Sequence, residues 1–219
     1  MKKKYWAFLI GSWCLSVGMQ AAKVDTLSVH SDAMNKEVQV ITICPDKAMA
    51  GEKCPVLYLL HGYGGNAGTW LGIKPELPQI ADKEGIIFVC PDGKNSWYWD
   101  SPLNKEYRYE TFVSKELVNY IDKNFTTKVE RGGRAITGLS MGGHGSLWLS
   151  IRHKDVFGGG GSMSGGLDIR PFPNNWEMKK QLGEEASNKQ RWDEHTVINQ
   201  LDNCLLYTSP SPRDKRQSR

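Results

Sequence analysis

Ser140 lies in a run, residues 138–142, that reads Gly-Leu-Ser-Met-Gly, so a glycine stands two positions to either side of it. An apolar run precedes this motif, and a helix-like run over residues 146–151 follows it. At a sharp strand-to-helix turn such a serine takes a strained backbone conformation, and small neighbours let the strand and helix approach. The hydroxyl is then exposed at a helix N-terminus, where the Met141 amide can stabilise an oxyanion. We interpret Ser140 as a candidate nucleophile, against the alternative of a glycine-rich loop with an incidental serine.

A second motif, His-Gly-Tyr-Gly-Gly at residues 61–65, follows an apolar run over residues 55–60. The apolar run predicts a buried strand, and the glycines predict a tight turn at its carboxyl end. In hydrolases that carry both motifs, this turn supplies the other oxyanion amide. By resemblance to those hydrolases, the backbone amides of Tyr63 and Met141 are expected to form an oxyanion hole around Ser140.

The remaining patterns predict the elements that position these turns. Alternating polar and apolar residues predict a half-buried strand over residues 36–43, and continuous apolar runs predict buried strands over 55–60 and 86–90. Apolar residues at four-residue spacing predict an amphipathic helix over 111–125. A glycine-rich strand is predicted over 157–165, and residues 168–203 have the pattern of an irregular excursion with short helices. The fold class predicted is α/β, with a mostly parallel sheet and helices on both faces.

Three aromatic residues, Trp97, Tyr98 and Trp99, stand in a polar loop after the strand predicted at 86–90. Open α/β sheets bind ligands at the carboxyl ends of their strands. Trp97 and Trp99 are therefore candidates for a substrate-binding wall that contacts a sugar or an aromatic acyl group. The alternative is that these rings pack the loop against the fold.

The N-terminal residues 1–22 begin with three lysines, continue with an apolar run and end in small residues. This pattern predicts a secretory signal peptide, too short to remain as a membrane anchor. We therefore expect export to the periplasm or the extracellular space.

The C-terminal residues 204–219 match the translation of a transposase adapter used in sequencing libraries and its continuation. We therefore expect the biological sequence to stop near Asn203, with a hydrolase domain over residues 23–203. The formal net charge of the 219 residues is +4, and the two end segments carry +3 each, which leaves −2 for the domain. This charge gives no indication of a nucleic-acid partner.

The three cysteines of the predicted domain are Cys44, Cys54 and Cys90. Cys44 and Cys54 bracket a short loop, so a disulfide between them is one alternative and free buried thiols are the other. None of the cysteines has the spacing typical of a metal site.

Over about residues 38–203 the chain resembles the putative-esterase (esterase D-like) family of α/β-hydrolases. The most specific likeness lies in residues 59–65, 138–145 and 162–165. This group includes feruloyl and acetyl-xylan esterases and S-formylglutathione hydrolases, and the exported branch that acts on polysaccharide is the more similar one. The resemblance implies an acyl-enzyme at Ser140, an ester of a small molecule or a polysaccharide as substrate, and no metal or organic cofactor.

In this family the catalytic acid and histidine follow the nucleophile, the acid beyond a strand that would come after residue 203. The resemblance therefore implies that the C-terminal strands, the general base and its orienting acid are missing, and that this fragment is inactive. His144 is expected to pack in the core and His61 to brace the backbone of the turn. His195 remains a candidate base, and Asp168 is an acid that does not fit the family pattern.

Three other functions remain open. The first is acyl transfer to a sugar hydroxyl, and the second is a thioesterase similar to the S-formylglutathione hydrolases. The third is a non-catalytic carbohydrate-binding domain that uses Trp97 and Trp99. The presence of Ser140 together with both oxyanion turns argues against the third.

Overall fold

A computed structural model describes residues 22–203, which fold around one six-stranded mixed sheet. The strand order is β1-β2-β4-β3-β5-β6. The strands are β1 (Lys23–Ser31), β2 (Lys36–Cys44), β3 (Val56–Leu60), β4 (Ile87–Pro91), β5 (Arg134–Leu139) and β6 (Gly159–Met163). Residues 1–21 of the predicted signal peptide and the C-terminal tail lie outside the described residues.

The strands that carry the two glycine motifs are neighbours and parallel. β3 pairs with β4 on one side and with β5 on the other, and β5 pairs with β6, all in parallel. The register sets Leu60 opposite Gly138 and Leu139 opposite Met163. Because parallel strands end at the same edge of the sheet, the turns after β3, β4, β5 and β6 meet there.

The helices are α1 (Asp46–Met49), α2 (Thr69–Ile73), α3 (Leu77–Glu84), α4 (Tyr109–Thr111), α5 (Val118–Asn124), α6 (Met141–Arg152), α7 (Met178–Leu182) and α8 (Lys189–Glu194). A π-helical segment, Phe112–Leu117, joins α4 to α5. Single 3₁₀ turns occupy Arg131–Gly133 and Glu185–Ser187, and a longer one occupies Val197–Asn203. Between residues 22 and 203, none of these helices combines the length and apolar character needed to cross a bilayer.

Both faces of the sheet are covered, as the continuous apolar runs predict. Val56, Tyr58 and Leu60 of β3 pack in a core with α6 and the helical segment 109–124. Leu59 points into a second core, together with residues of α2 and α3. This alternation explains why β3 reads as an unbroken apolar run, because each face of the strand is buried. The predicted fold class is confirmed.

Two elements differ from the sequence prediction. β1 was not predicted, because most of its side chains are partly or fully exposed and only Val29 and Ser31 are buried. The predicted helix over 111–125 is present, but its centre is π-helical. Residues spaced by four lie slightly more than one turn apart in an α-helix of 3.6 residues per turn and slightly less than one turn apart in the wider π-helix, so a helix that combines the two keeps them on one face. Val113, Leu117 and Ile121 are accordingly all fully buried.

Cys44, Cys54 and Cys90 are buried free thiols in the structure. Burial is the first cause that raises the pKa of each thiol, and it raises the pKa of Cys90 to about 12. Of the two alternatives for Cys44 and Cys54, the structure therefore has the free thiols. Protonated, desolvated thiols of this kind act as small apolar side chains.

The buried hydroxyl of Tyr58 yields a stability prediction. It has no hydrogen-bond partner among the described residues, and burial raises its pKa. Tyr58→Phe removes an unsatisfied polar atom and keeps the edge-on contact with Phe157, so the free energy of unfolding should stay equal or rise by up to about 1 kcal/mol. Urea unfolding measures this change.

Tyr98→Phe is the matched control, because the Tyr98 hydroxyl donates a 3.1 Å hydrogen bond to the carbonyl of His61. Loss of this bond should lower the free energy of unfolding by about 1 kcal/mol. An equal loss in both variants would contradict the assignment of Tyr58 as unsatisfied.

Candidate active site

Ser140 forms the turn between β5 and α6 and has a backbone conformation that few serines adopt. Its φ is 56° and its ψ is −116°, outside the regions that L-residues normally populate. Its N–H donates to the Met163 carbonyl at 2.8 Å, and its carbonyl accepts the first bond of α6 from the His144 N–H at 3.0 Å. The residue is exposed. These features are those of a nucleophile elbow, in which the surrounding structure holds a strained serine at the surface.

Two glycines make this turn sterically feasible. A Cβ on Gly142 would lie 2.2 Å from the carbonyl oxygen of Leu60, at the end of β3. A Cβ on Gly138 would lie 2.3 Å from the backbone of Gly142. Because atoms cannot approach so closely, any larger residue at either position would push α6 away from β3 and β5.

The turn after β3 lies directly against Ser140. A Cβ on Gly62 would be 3.5 Å from the Cβ of Ser140, which places the Gly62–Tyr63 peptide beside the serine. Within residues 22–203 the Tyr63 N–H has no hydrogen-bond acceptor. The Met141 N–H is the first of α6 and therefore has no acceptor within the helix. Two free backbone donors thus flank the serine, as an oxyanion hole requires.

All five histidines of the chain fall within the described residues, and none of their side chains forms a hydrogen bond with Ser140. His144 is fully buried, with Nδ1 2.7 Å from the Gly166 carbonyl and Nε2 accepting from Trp99 Nε1 at 3.0 Å. Burial lowers the pKa of His144 to about 4. His144 is therefore a neutral core residue, as expected from the sequence.

The side chain of His195, the remaining candidate base, also has partners other than Ser140. Its ring stacks on Trp148 with 5.5 Å between centroids, and its Nδ1 contacts the Arg191 carbonyl at 2.7 Å. Burial lowers its pKa. Asp168, the candidate acid, pairs with Arg170 at 2.8 Å, and hydrogen bonds from Arg170 lower the pKa of that carboxyl. Neither side chain forms a hydrogen bond with Ser140.

Trp97 and Trp99 are buried, with 4% and 0% of their surfaces exposed. Their rings stack with 5.5 Å between centroids, and both meet the His144 ring edge-on at 5.2 Å. Trp99 has no surface left for a ligand, so this geometry favours the packing alternative. A substrate contact at these two rings remains a prediction that the structure does not support.

Exposed aromatic side chains that the sequence patterns did not single out lie near the same edge. Phe172 and Trp176 are 46% and 43% exposed, with 5.5 Å between their ring centroids. The Trp176 carbonyl accepts a hydrogen bond from Trp97 Nε1 at 3.2 Å, and Asn95 bridges Glu177 and the Gly64 N–H. These contacts attach the segment 172–177 beside the oxyanion turn. The sequence patterns do not predict that Phe172 and Trp176 lie here, because an irregular segment has no hydrophobic periodicity.

The arrangement can attack a carbonyl carbon and stabilise the oxyanion that results. The serine and two amide donors are present, whereas a base in contact with the serine is absent from residues 22–203. Across that same range, no group of three or more His, Cys, Asp or Glu side chains has the geometry of a metal site.

Comparison with known proteins places this geometry in context. The profile of the family described as "Putative esterase" matches residues 31–205. The chain is 29% identical over 151 residues to an acetyl esterase of Caldicellulosiruptor saccharolyticus, with 65% of this chain and 56% of the relative covered. It is 34% identical over 124 residues to an endo-1,4-beta-xylanase/feruloyl esterase of Xylanibacter ruminicola, covering 52% of this chain and 17% of that one.

Among solved structures, a ferulic acid esterase superposes with a TM-score of 0.66 and 26% identity. The match covers 90% of this chain and 75% of that one. In contrast, the chain spans less than two thirds of the length of the acetyl esterase and of the xylanase/feruloyl esterase.

His144 yields a prediction about pH. Its pKa is lowered in the folded state, first by burial, so the unfolded chain binds its proton more readily as the pH falls from about 6.5 towards 4. Its contribution to stability is complete above the unfolded pKa and is lost through that window, by up to about 3 kcal/mol. His144→Gln keeps a donor and an acceptor but cannot titrate.

Urea unfolding of both proteins between pH 4 and 8 measures this contribution. The difference in unfolding free energy between wild type and His144→Gln should shrink as the pH falls from 7 to 4. A difference that is constant with pH would contradict a neutral, desolvated His144.

Proposed function

This chain belongs to the putative esterase family, and we propose that it is a serine carboxylic ester hydrolase that works through an acyl-enzyme at Ser140. The observation that carries this proposal is the exposed, strained Ser140 beside two backbone amides that lack acceptors. A surface loop with an incidental serine needs neither the strain nor the free donors. Strain of this kind persists only where the surrounding structure enforces it.

In the reaction proposed, Ser140 Oγ attacks the ester carbonyl carbon while its proton passes to a general base. The Oγ–C bond forms, and the carbonyl becomes an oxyanion that accepts hydrogen bonds from the Tyr63 and Met141 amides. Collapse of this intermediate breaks the ester C–O bond, and the alcohol leaves with the proton. Water then attacks the acyl-Ser140 ester by the same steps and releases the carboxylic acid.

The general base of this scheme is proposed to come from outside residues 22–203, because no histidine side chain within that range forms a hydrogen bond with Ser140. The family resemblance implies a histidine oriented by an aspartate, both later in the chain than the nucleophile. Residues 22–203 alone are expected to be inactive, and the catalytically complete enzyme is the form that carries these two residues. Without a base, a serine hydroxyl is too weak a nucleophile at neutral pH.

The substrates proposed are acyl esters of plant polysaccharide, with a feruloyl or an acetyl group. Two observations support this class. The relatives include an acetyl esterase, a xylanase/feruloyl esterase and a ferulic acid esterase. In addition, Phe172 and Trp176 expose aromatic rings on the segment held beside the oxyanion turn. Such rings pack against aryl groups at little cost in conformational entropy.

The direct test is Ser140→Ala in the catalytically complete enzyme, assayed with a short-chain aryl ester. Loss of the nucleophile should lower kcat by a factor on the order of 10⁶, because the acyl-enzyme cannot form. The fold should remain intact, since alanine is smaller than serine.

Ser164→Ala is the matched control, because Ser164 is also exposed and also has a positive φ, of 53°, just after β6. This variant should keep most of the wild-type rate. If Ser140→Ala kept a tenth of the activity, or if Ser164→Ala removed it, Ser140 would not be the nucleophile.

A second prediction concerns Trp176 and the acyl group. Trp176→Ala should lower kcat/KM for a feruloyl ester about tenfold, the equivalent of one aromatic contact, and change the value for an acetyl ester much less. The half-exposed ring adds little to stability, so the melting temperature should change little.

Trp99→Ala is the contrasting variant, because that ring is buried. It should lower the free energy of unfolding by about 3–5 kcal/mol and affect both substrates alike. A selective loss of feruloyl activity in Trp99→Ala but not in Trp176→Ala would reverse the assignment.

A further inference from the structure

His61 stands at the end of β3, and backbone groups occupy both of its ring nitrogens. The side chain is 1% exposed. Its Nδ1 lies 2.7 Å from the carbonyl oxygen of Gly62, and its Nε2 lies 2.9 Å from the backbone nitrogen of Gly93. The first contact is within the oxyanion turn, and the second reaches the loop after β4. A buried imidazole with two such partners has a defined orientation.

The chemistry of these partners fixes the proton on the ring. A backbone N–H only donates, so Nε2 must accept from Gly93. A carbonyl oxygen only accepts, so Nδ1 must carry the hydrogen that is donated to Gly62. Asp92 Oδ1 lies 3.6 Å from Nε2, beyond hydrogen-bond distance, and the other oxygen of that carboxylate pairs with the Lys94 ammonium at 2.7 Å. His61 is therefore the neutral tautomer with the hydrogen on Nδ1.

This donated hydrogen bond controls the direction of a neighbouring amide. The carbonyl of Gly62 and the N–H of Tyr63 belong to one planar peptide and point in opposite directions. Two donors hold that carbonyl, His61 Nδ1 at 2.7 Å and the Gly65 N–H at 3.0 Å. Fixing the carbonyl therefore fixes the Tyr63 N–H, which is the donor that has no acceptor of its own.

The loop after β4 holds His61 from the other side. Gly93 donates to Nε2, the Tyr98 hydroxyl donates to the His61 carbonyl at 3.1 Å, and Asn95 accepts from the Gly64 N–H at 2.9 Å. The imidazole therefore links this loop to the Gly62–Tyr63 peptide through its two hydrogen bonds. A general base would need an exposed nitrogen near the serine, and His61 has neither nitrogen free.

We propose that His61 is a positioning residue for ester hydrolysis, which aims the Tyr63 amide at the oxyanion by donating from Nδ1 to the Gly62 carbonyl. This inference rests on the proposed function and assigns to His61 no part in proton transfer. Misdirection of one oxyanion donor lowers the rate of the chemical step. Substrate binding stays nearly unchanged, because the oxyanion forms only after the serine has begun to attack the bound substrate.

Two variants separate this role from a purely structural one in the catalytically complete enzyme. In His61→Asn the side-chain amide nitrogen lies near the position of Nδ1 and can still donate to Gly62, but Gly93 loses its acceptor. In His61→Gln the amide oxygen can reach Gly93, but Gly62 loses its side-chain donor. Each variant gives up one buried hydrogen bond, so both should be destabilised by a similar amount.

Their kinetics should differ. His61→Gln should lose a factor of about 10² in kcat with KM nearly unchanged, and His61→Asn should recover most of that loss. Equal kcat losses in the two variants, or a loss that follows the melting temperature alone, would overturn the proposal.

A spectroscopic test does not depend on activity. In the full chain, ¹⁵N NMR of the His61 ring should show a protonated Nδ1 and an unprotonated Nε2 at neutral pH. A hydrogen on Nε2, or an imidazolium paired with Asp92, would overturn the proposal even if Ser140 is the nucleophile. Conversely, the predicted tautomer together with an active Ser140→Ala enzyme would reject the proposed function alone.

Discussion

The close packing of the first turn of α6 against the end of β3 is the constraint on which the rest of the site depends. The Leu60 carbonyl occupies the space that a side chain at Gly142 would need. This contact brings the serine turn and the oxyanion turn together, although 78 positions separate Gly62 from Ser140 in the sequence. Ser140 and the two amide donors are thereby positioned by backbone packing, which is more rigid than contacts between long side chains.

The first turn of α6 also packs against a cluster of aromatic rings. His144, in the first turn of α6, lies edge-on to Trp97 and Trp99 and stacks on Trp148. The indole of Trp99 donates to this imidazole, so the loop after β4 is tied to the elbow by a buried polar contact as well as by packing. The loop therefore supports both halves of the site, the elbow through Trp99 and the oxyanion turn through Gly93. Buried networks of this kind specify one arrangement when every member is satisfied.

The parallel strands β3 to β6 and both turns of the site were predictable from the sequence. Buried strands need apolar runs and tight turns need glycine, and both requirements are visible in short stretches of sequence. Glycine at 138 and 142 is visible in the sequence, and the steric reason for it acts within the turn. The burial of Trp99 was not predictable, because it depends on His144, 45 positions later, and on a helix packed over the loop. The π-helical centre at Phe112–Leu117 and the largely exposed β1 left only weak signals, since each departs from the ideal hydrophobic period.

The positive φ of Ser140 places stability and the proposed chemistry in opposition at one residue. Glycine adopts that conformation without strain, so mutation of this serine to glycine would relieve an energetic cost of order 1–3 kcal/mol. Under the proposed function, serine at this position keeps the nucleophile at the expense of the stability that glycine would give.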